Sequence, residues 1–200
     1  MYIIYSTKKA IGAGAIGGIV GGIVMLAPMM AMMSMLNLPS DLFPKLVGMT
    51  LGQTPESAAM VGIGFHFIAS IIIGLIFGAV INASALMISS FKKGIGLGLA
   101  TGIISFVVLF LPMMMVIFPP TMMKMMAMMN PNAPQDMIMK QLQGMQPMLL
   151  AGSAISHLIY GAVLGAVVSA ILTRKVTCPR CKAQMTKKEF ESHKGACKVS

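Results

Sequence analysis

Acidic residues are scarce in this chain, which has five Asp and Glu among 200 residues. All five lie outside the long apolar stretches, so paired carboxylates for acid–base catalysis or proton transfer cannot form within them. No glycine-rich loop of the Walker type is present either, which leaves ATP-driven work without a phosphate site. The sequence therefore predicts that the protein is not an enzyme.

Charged residues of both signs are few as well, at 10% of the chain against 56% apolar residues. A soluble domain carries about a quarter charged residues, so this composition predicts a protein that folds in lipid. Four apolar windows reach the length of about 20 residues that a membrane-spanning helix needs. They cover residues 10–36, 58–81, 94–118 and 149–172.

The spans must be helical, because backbone polar groups cannot remain unpaired in lipid. Pro28 and Pro112 are then expected to kink helices and not to end them. The first window also has the basic flank and apolar run of a signal peptide, but Pro28 and the bulky Met residues beyond it make a poor cleavage site. We expect the first helix to be retained.

Basic residues predict the orientation of these spans, since positive charge near span ends favours the cytosolic side. The three flanks on one side carry Lys8 and Lys9, Lys92 and Lys93, and Arg174 and Lys175. The two opposite segments have nearly balanced charge. The sequence therefore predicts a multi-pass protein of the cell membrane with both termini in the cytosol, where the thiols of the tail would stay reduced.

The first pair of helices shares a pattern of small residues with the second pair. In the first pair the pattern is Gly14, Gly18, Gly22, Pro28, Met29 and Met30, then His66, Ser70, Gly74 and Gly78. In the second pair it is Gly94, Gly98, Gly102, Pro112, Met113 and Met114, then His157, Gly161, Gly165 and Ser169. Small residues four apart let helices approach closely in lipid. We interpret the membrane part, residues 1–173, as two duplicated helical hairpins with GxxxG-type seams.

Histidine and methionine share one predicted depth, in the half of the bundle away from the termini. The residues are His66, His157, Met29, Met30, Met113 and Met114, and a Met-rich outer loop is expected over 119–148. Imidazole and thioether ligands together suit Cu(I), and this distribution resembles the Met-rich exterior and membranous Met pairs of Cu(I) permeases. The alternative is that Met fills irregular apolar gaps and that the His pair forms hydrogen bonds across the seam.

All three cysteines lie at or after position 178, which does not suit a disulfide framework. Cys178 and Cys181 are separated by two residues, and His193 and Cys197 follow with four-residue spacing. Two thiolates, an imidazole and a third thiolate complete a tetrahedral, structural Zn²⁺ shell. The segment 176–200 resembles the zinc-finger family with two cysteines followed by two histidines, in the variant that ends on cysteine. That resemblance implies a small ββα fold around zinc. The interval between the ligand pairs is one residue shorter than in the family and Met185 replaces its customary aromatic residue, so a treble-clef or knuckle variant is the alternative.

The predicted architecture is an all-α, four-helix membrane bundle with an appended C-terminal zinc finger. Its predicted function is that of a membrane anchor or an assembly or regulatory subunit whose finger docks a cytosolic protein. Nucleic acid is a second, less favoured partner, because one finger reads about three base pairs, and homo-oligomers are compatible with the glycine seams. The alternative function is soft-metal binding or permeation, with Cu(I) as the cofactor or cargo in addition to structural zinc.

Overall fold

The computed structural model describes residues 6–82, 86–173, 175–178, 181 and 184–186. The described helices are α1 (Thr7–Met35), α2 (Leu42–Thr50), α3 (Pro55–Val80), α4 (Phe91–Ser105), α5 (Phe118–Met129) and α6 (Gln135–Leu172). Two π-helical turns, Phe106–Phe110 and Met113–Ile117, join α4 to α5. Two short antiparallel strands follow α6, namely β1 (Lys175–Thr177) and β2 (Gln184–Thr186).

Four of these helical segments are long and apolar enough to cross a membrane, as the sequence predicted. They are α1, α3, α6 and the continuous helical rod Phe91–Met129, which we call the third span. The chain passes through both predicted kink sites without leaving the helical conformation. Pro28 lies inside α1, and Pro112 lies between the two π turns of the third span.

The Met-rich segment 119–148, for which the sequence predicted an outer loop, is mostly helical. Its first part belongs to α5, its last part belongs to α6, and only a short turn at 130–134 separates them. Met, Leu, Gln and Lys dominate this segment and are good helix formers, whereas Pro131 and Pro134 confine the break to the turn. The third and fourth spans therefore extend past the windows 94–118 and 149–172 as a helical cap. We define the cap as α2, α5 and residues 135–148 of α6.

The predicted glycine seams are present within both hairpins, and the backbones approach closely. A Cβ added at Gly18 of α1 would collide with the carbonyl oxygen of Ser70 on α3. At the matching place in the second hairpin, a Cβ on Gly98 would collide with the carbonyl oxygen of Gly161 on α6. The two hairpins thus pack in the same way, with equivalent residues in contact.

The hairpins meet each other through α1 and α6. Gly17 and Gly21 provide a second small face on α1, and there a Cβ on Gly17 would lie 2.8 Å from Leu164. Tyr160 covers Gly21, and its hydroxyl donates a hydrogen bond of 2.7 Å to the backbone oxygen of Ser70. By contrast, α3 and the third span barely touch. The bundle is therefore closed on one side and loose on the other.

Two apolar cores fill the interior of the described chain. The core nearer the termini contains Tyr160, Leu164 and Val168, which are almost completely buried. The core at the cap is rich in methionine, with Met32, Met33, Met114 and Met125 among its buried members. Short helix α2, which the sequence did not reveal, covers this second core and packs its Gly48 against the backbone of Ala58 on α3.

Candidate functional site

Both membrane histidines line one cavity of about 110 Å³. His66 comes from α3 and His157 from α6, and the wall also includes α1, α2 and the third span. Most of the lining is apolar. The remaining polar and sulfur-containing wall residues are Ser70, Ser105, Tyr160, Met25 and Met113.

His66 is fixed against α1 by a hydrogen bond. Its Nε2 lies 3.0 Å from the carbonyl oxygen of Gly22. Gly22 is the last of the three seam glycines of α1, which we call the first ladder; the second ladder is the matching set Gly94, Gly98 and Gly102. A carbonyl oxygen only accepts, so the neutral ring carries its hydrogen on Nε2 and keeps a lone pair on Nδ1. The neighbouring ring of Phe67 contacts the imidazole edge-on at 5.5 Å.

His157 is fixed within its own helix and carries the opposite tautomer. Its Nδ1 lies 2.8 Å from the carbonyl oxygen of Ser153, so in the neutral ring Nδ1 holds the hydrogen and Nε2 holds the lone pair. Phe106 and Phe110 of the first π turn contact the ring at centroid distances of 5.6 and 5.3 Å. Among the described residues, every buried side-chain nitrogen or oxygen has a hydrogen-bond partner. The second nitrogen of each ring has no such partner among them, so it is not buried and remains accessible.

The three hydroxyl groups of the wall also donate their hydrogens to backbone carbonyls. Ser70 donates to the oxygen of His66 at 2.8 Å, and Ser105 donates to that of Thr101 at 2.8 Å. Tyr160 donates to the oxygen of Ser70 at 2.7 Å. The hydroxyl oxygens therefore have only lone pairs left to offer to the cavity.

No protein-family model, curated protein or solved structure matches this chain.

The structure brings together three of the six predicted histidine and methionine residues, namely His66, His157 and Met113. Met114 instead lines a separate void of about 30 Å³ in the cap. Met29 is buried outside both cavities, and Met30 is 47% exposed on the outer surface of the bundle. The predicted set therefore does not form a single shell.

The register of the two Pro-Met-Met segments explains this outcome. Pro28 follows Gly22 by six residues, whereas Pro112 follows Gly102 by ten, so the second segment lies about one helical turn further along its helix. The predicted ligand set did not include Met25, which lies three residues after Gly22 and therefore on the same helix face as the seam glycines. Ser105 lies at the same distance after Gly102 and lines the same cavity.

The small void of the cap has a wall made almost entirely of apolar side chains, many of them methionines. Its methionines are Met32, Met33, Met114, Met122, Met125, Met126 and Met145. None of the described residues that line it is a histidine or carries a charge. These residues fill the irregular space between α2, α5 and α6, which is the packing role that flexible methionine commonly plays.

The structure describes two of the four predicted zinc ligands, Cys178 and Cys181. Both lie in the connection between β1 and β2, and Cys178 is buried. His193 and Cys197 lie outside the described residues. Within the described part of the chain, no three His, Cys, Asp or Glu side chains gather into a metal-binding group.

Proposed function

We propose that this protein is a multi-pass membrane anchor whose cytosolic, zinc-binding tail docks a protein partner. The observation that carries the proposal is the position of the tail. Strand β1 begins at Lys175, directly after α6 ends at Leu172, and the cysteine turn follows at once. A docking module joined so closely to a spanning helix would hold its partner at the membrane surface.

The packing of the bundle supports an anchor better than a channel. At the end of the bundle near the termini, the backbones of each hairpin are in contact, and Tyr160, Leu164 and Val168 fill the space between the hairpins. Tight seams of this kind stabilise helix association in lipid. They also give the tail a rigid base.

We further propose that the two hairpins are copies of one ancestral pair. Their matching contacts support this, since Gly14 meets the backbone of Gly74 as Gly94 meets that of Gly165. His66 and His157 occupy equivalent places beside the two ladders and line one cavity. Packing of equivalent residues in both pairs is what internal duplication would produce.

The cytosolic orientation of both termini is tested by labelling single cysteines in sealed, oriented vesicles, after the three native cysteines have been replaced by serine. Gln53 and Gln135 are exposed at the cap end, and Ser89 is exposed at the opposite end. Ser89 is preferable to Ser90, because Ser90 caps α4. We expect Gln53→Cys and Gln135→Cys to react from outside and Ser89→Cys only after permeabilisation. Equal outside labelling of all three would contradict the topology.

Zinc in the tail is tested on the full-length purified protein by elemental mass spectrometry. The proposal expects one Zn²⁺ per chain, held by Cys178, Cys181, His193 and Cys197, and loss of that zinc in Cys181→Ser and in His193→Ala. Ser192→Ala is the matched control, because it changes the neighbour of a ligand and should keep zinc. Metal binding supplies most of the folding energy of so small a module, so zinc retained by both ligand variants would contradict the site.

The partner should present an acidic surface, because the tail is basic. Its cationic residues are Arg174, Lys175, Arg180, Lys182, Lys187, Lys188, Lys194 and Lys198, against Glu189 and Glu191. We expect chemical cross-linking in native membranes to join the tail to a protein. The cross-linked product should survive nuclease treatment, because the partner is not nucleic acid. Cys181→Ser should abolish that cross-link while the bundle stays in the membrane. An unchanged cross-link in this variant would contradict docking through the zinc module.

A further inference from the structure

We propose that the cavity between the hairpins binds one soft, monovalent cation of the Cu(I) class. The ligands are His66 through Nδ1, His157 through Nε2, and the thioether sulfurs of Met25 and Met113. The site is independent of the proposed docking function, since its ligands lie in the bundle and those of zinc lie in the tail.

The hydrogen bonds of the wall indicate a cation. Both imidazoles and all three hydroxyls that line the cavity donate their hydrogens to backbone carbonyls, at distances between 2.7 and 3.0 Å. Each group therefore faces its ligand with lone pairs only. Such a wall attracts a Lewis acid, whereas an anion would find no hydrogen-bond donor.

The size of the cavity suits an ion with a few water molecules. Pockets for organic ligands measure about 300–1,000 Å³, and this cavity measures about 110 Å³. One water occupies about 30 Å³ in the liquid. The space is ample for a single coordinated ion.

Charge and ligand chemistry together select a soft monovalent ion. None of the described residues that line the cavity is acidic, so the protein offers no countercharge. The cost of transferring an ion into a low-dielectric interior rises with the square of its charge, which disfavours a divalent ion in this setting. Neutral imidazole and thioether ligands bind Cu(I) well. Divalent zinc is better served by the thiolates of the tail.

Local backbone geometry positions Met113, the ligand from the third span. Two π turns flank Pro112, and their residues Phe110 and Met113 line the cavity. Single π turns inside α-helices occur frequently at functional sites. Phe110 also holds the ring of His157 in place, at 5.3 Å. On the wall formed by α1, Met25 is 9% exposed. It lies three residues after Gly22, whose carbonyl oxygen accepts the hydrogen bond from His66.

The binding test uses the full-length chain with its tail ligands removed by Cys178→Ser, Cys181→Ser, Cys197→Ser and His193→Ala. This background eliminates thiolates that would otherwise capture Cu(I). The protein in detergent micelles is titrated with Cu(I) against a chromogenic bidentate chelator under reducing, anaerobic conditions. We expect one Cu(I) per chain to be retained. Failure to compete with the chelator would show a cavity that holds water only and would overturn the proposal.

Matched methionine variants separate ligation from packing. Met113→Leu should weaken Cu(I) binding about 10- to 100-fold, the range seen when groups that support a metal are lost. Met30→Leu, a change of the same chemistry on the outer surface, should leave affinity unaltered. These substitutions conserve volume and are tolerated by cores, so both variants should fold. Equal affinities in the two variants would remove Met113 from the site.

The predicted tautomers give a sharper test that does not depend on substitution. Ag(I) is a soft, monovalent, redox-inert probe, and its spin-active nuclei couple to a bound nitrogen in NMR spectra of the chain labelled with ¹⁵N-histidine. We expect the coupling at Nδ1 of His66 and at Nε2 of His157. Absence of coupling, or coupling at the opposite nitrogens, would overturn the assignment.

Discussion

The two places where the hairpins face each other differ sharply, although the hairpins themselves pack alike. On one side α1 and α6 are in close contact through Gly17 and Gly21. On the other side α3 and the third span barely touch. When Gly14 is matched with Gly94, the third-span residues at the places of Gly17 and Gly21 are Leu97 and Thr101. Larger side chains at these two places keep the second interface open.

The comparison teaches that a second face of small residues decides where a cavity can form. Helices in lipid associate by packing, because lipid chains are as apolar as the helix surface. A close backbone approach on the α1–α6 side leaves no space, and the missing approach on the other side leaves room beside His66, Ser105 and Met113. The symmetry of the hairpins therefore does not extend to the assembly, and the asymmetry creates the site.

The largest loss of stability is expected within the hairpins. In Gly74→Ala the new methyl group would collide with the backbone of Gly14, and in Gly165→Ala with that of Gly94. Backbone cannot move aside as a side chain can, so each change should cost about 3 kcal/mol of unfolding free energy, the upper end for overpacking. Unfolding by steric trapping in bicelles measures this cost. Equal losses in the two variants would support the conclusion that the two hairpins pack in the same way.

A control for this pair is Gly12→Ala, where nothing lies within 4 Å of the added methyl group. There the higher helix propensity of alanine should stabilise the protein by up to about 1 kcal/mol. If Gly74→Ala proved as harmless as Gly12→Ala, the close seam between α1 and α3 would be wrong.

A smaller loss is expected at the closed interface between the hairpins. The methyl group of Gly21→Ala would lie 2.9 Å from the ring of Tyr160 and 3.1 Å from its backbone oxygen, a milder clash than those at Gly74 and Gly165, because the contact with backbone is longer. We expect a cost of about 1–2 kcal/mol. Thr101→Ala, the counterpart on the open side, should stay within about 0.5 kcal/mol of the parent protein. A larger cost for Thr101→Ala than for Gly21→Ala in the same assay would reverse the comparison.

The smallest effect is expected from the hydrogen bond that links α6 to α3. Tyr160→Phe removes the 2.7 Å bond to Ser70 and keeps the ring over Gly21. Interhelical hydrogen bonds in lipid are worth about 0.6 kcal/mol on average and at most about 1.7 kcal/mol. A loss as large as that of Gly74→Ala, again by steric trapping, would show that this hydroxyl and not backbone packing dominates the assembly.

The four apolar helices and both glycine seams could be predicted from the sequence, because length, composition and four-residue spacing determine them directly. Helix α2 could not, since its nine residues are too few to span a membrane and lie outside the four apolar windows, and its position depends on contacts such as Gly62 against Pro44. The ligand set was predicted in part. Both histidines begin a row of small residues and so point to the seam. The longer spacing from Gly102 to Pro112 than from Gly22 to Pro28 could also be read from the sequence, whereas the two π turns beside Met113 leave no reliable mark in a sequence.

One uninterrupted rod, α6, runs from the tip of the cap to the base of the tail. Its 38 residues span about 57 Å at 1.5 Å per residue, nearly twice the thickness of the hydrocarbon core. His157 and Tyr160 lie along it and line the cavity. Because Thr173 lies about 24 Å beyond His157 on this rise, a tilt of about 5° at the cavity would displace the tail by about 2 Å. The helix thus connects the methionine-rich core of the cap directly to the segment that carries the cysteine turn.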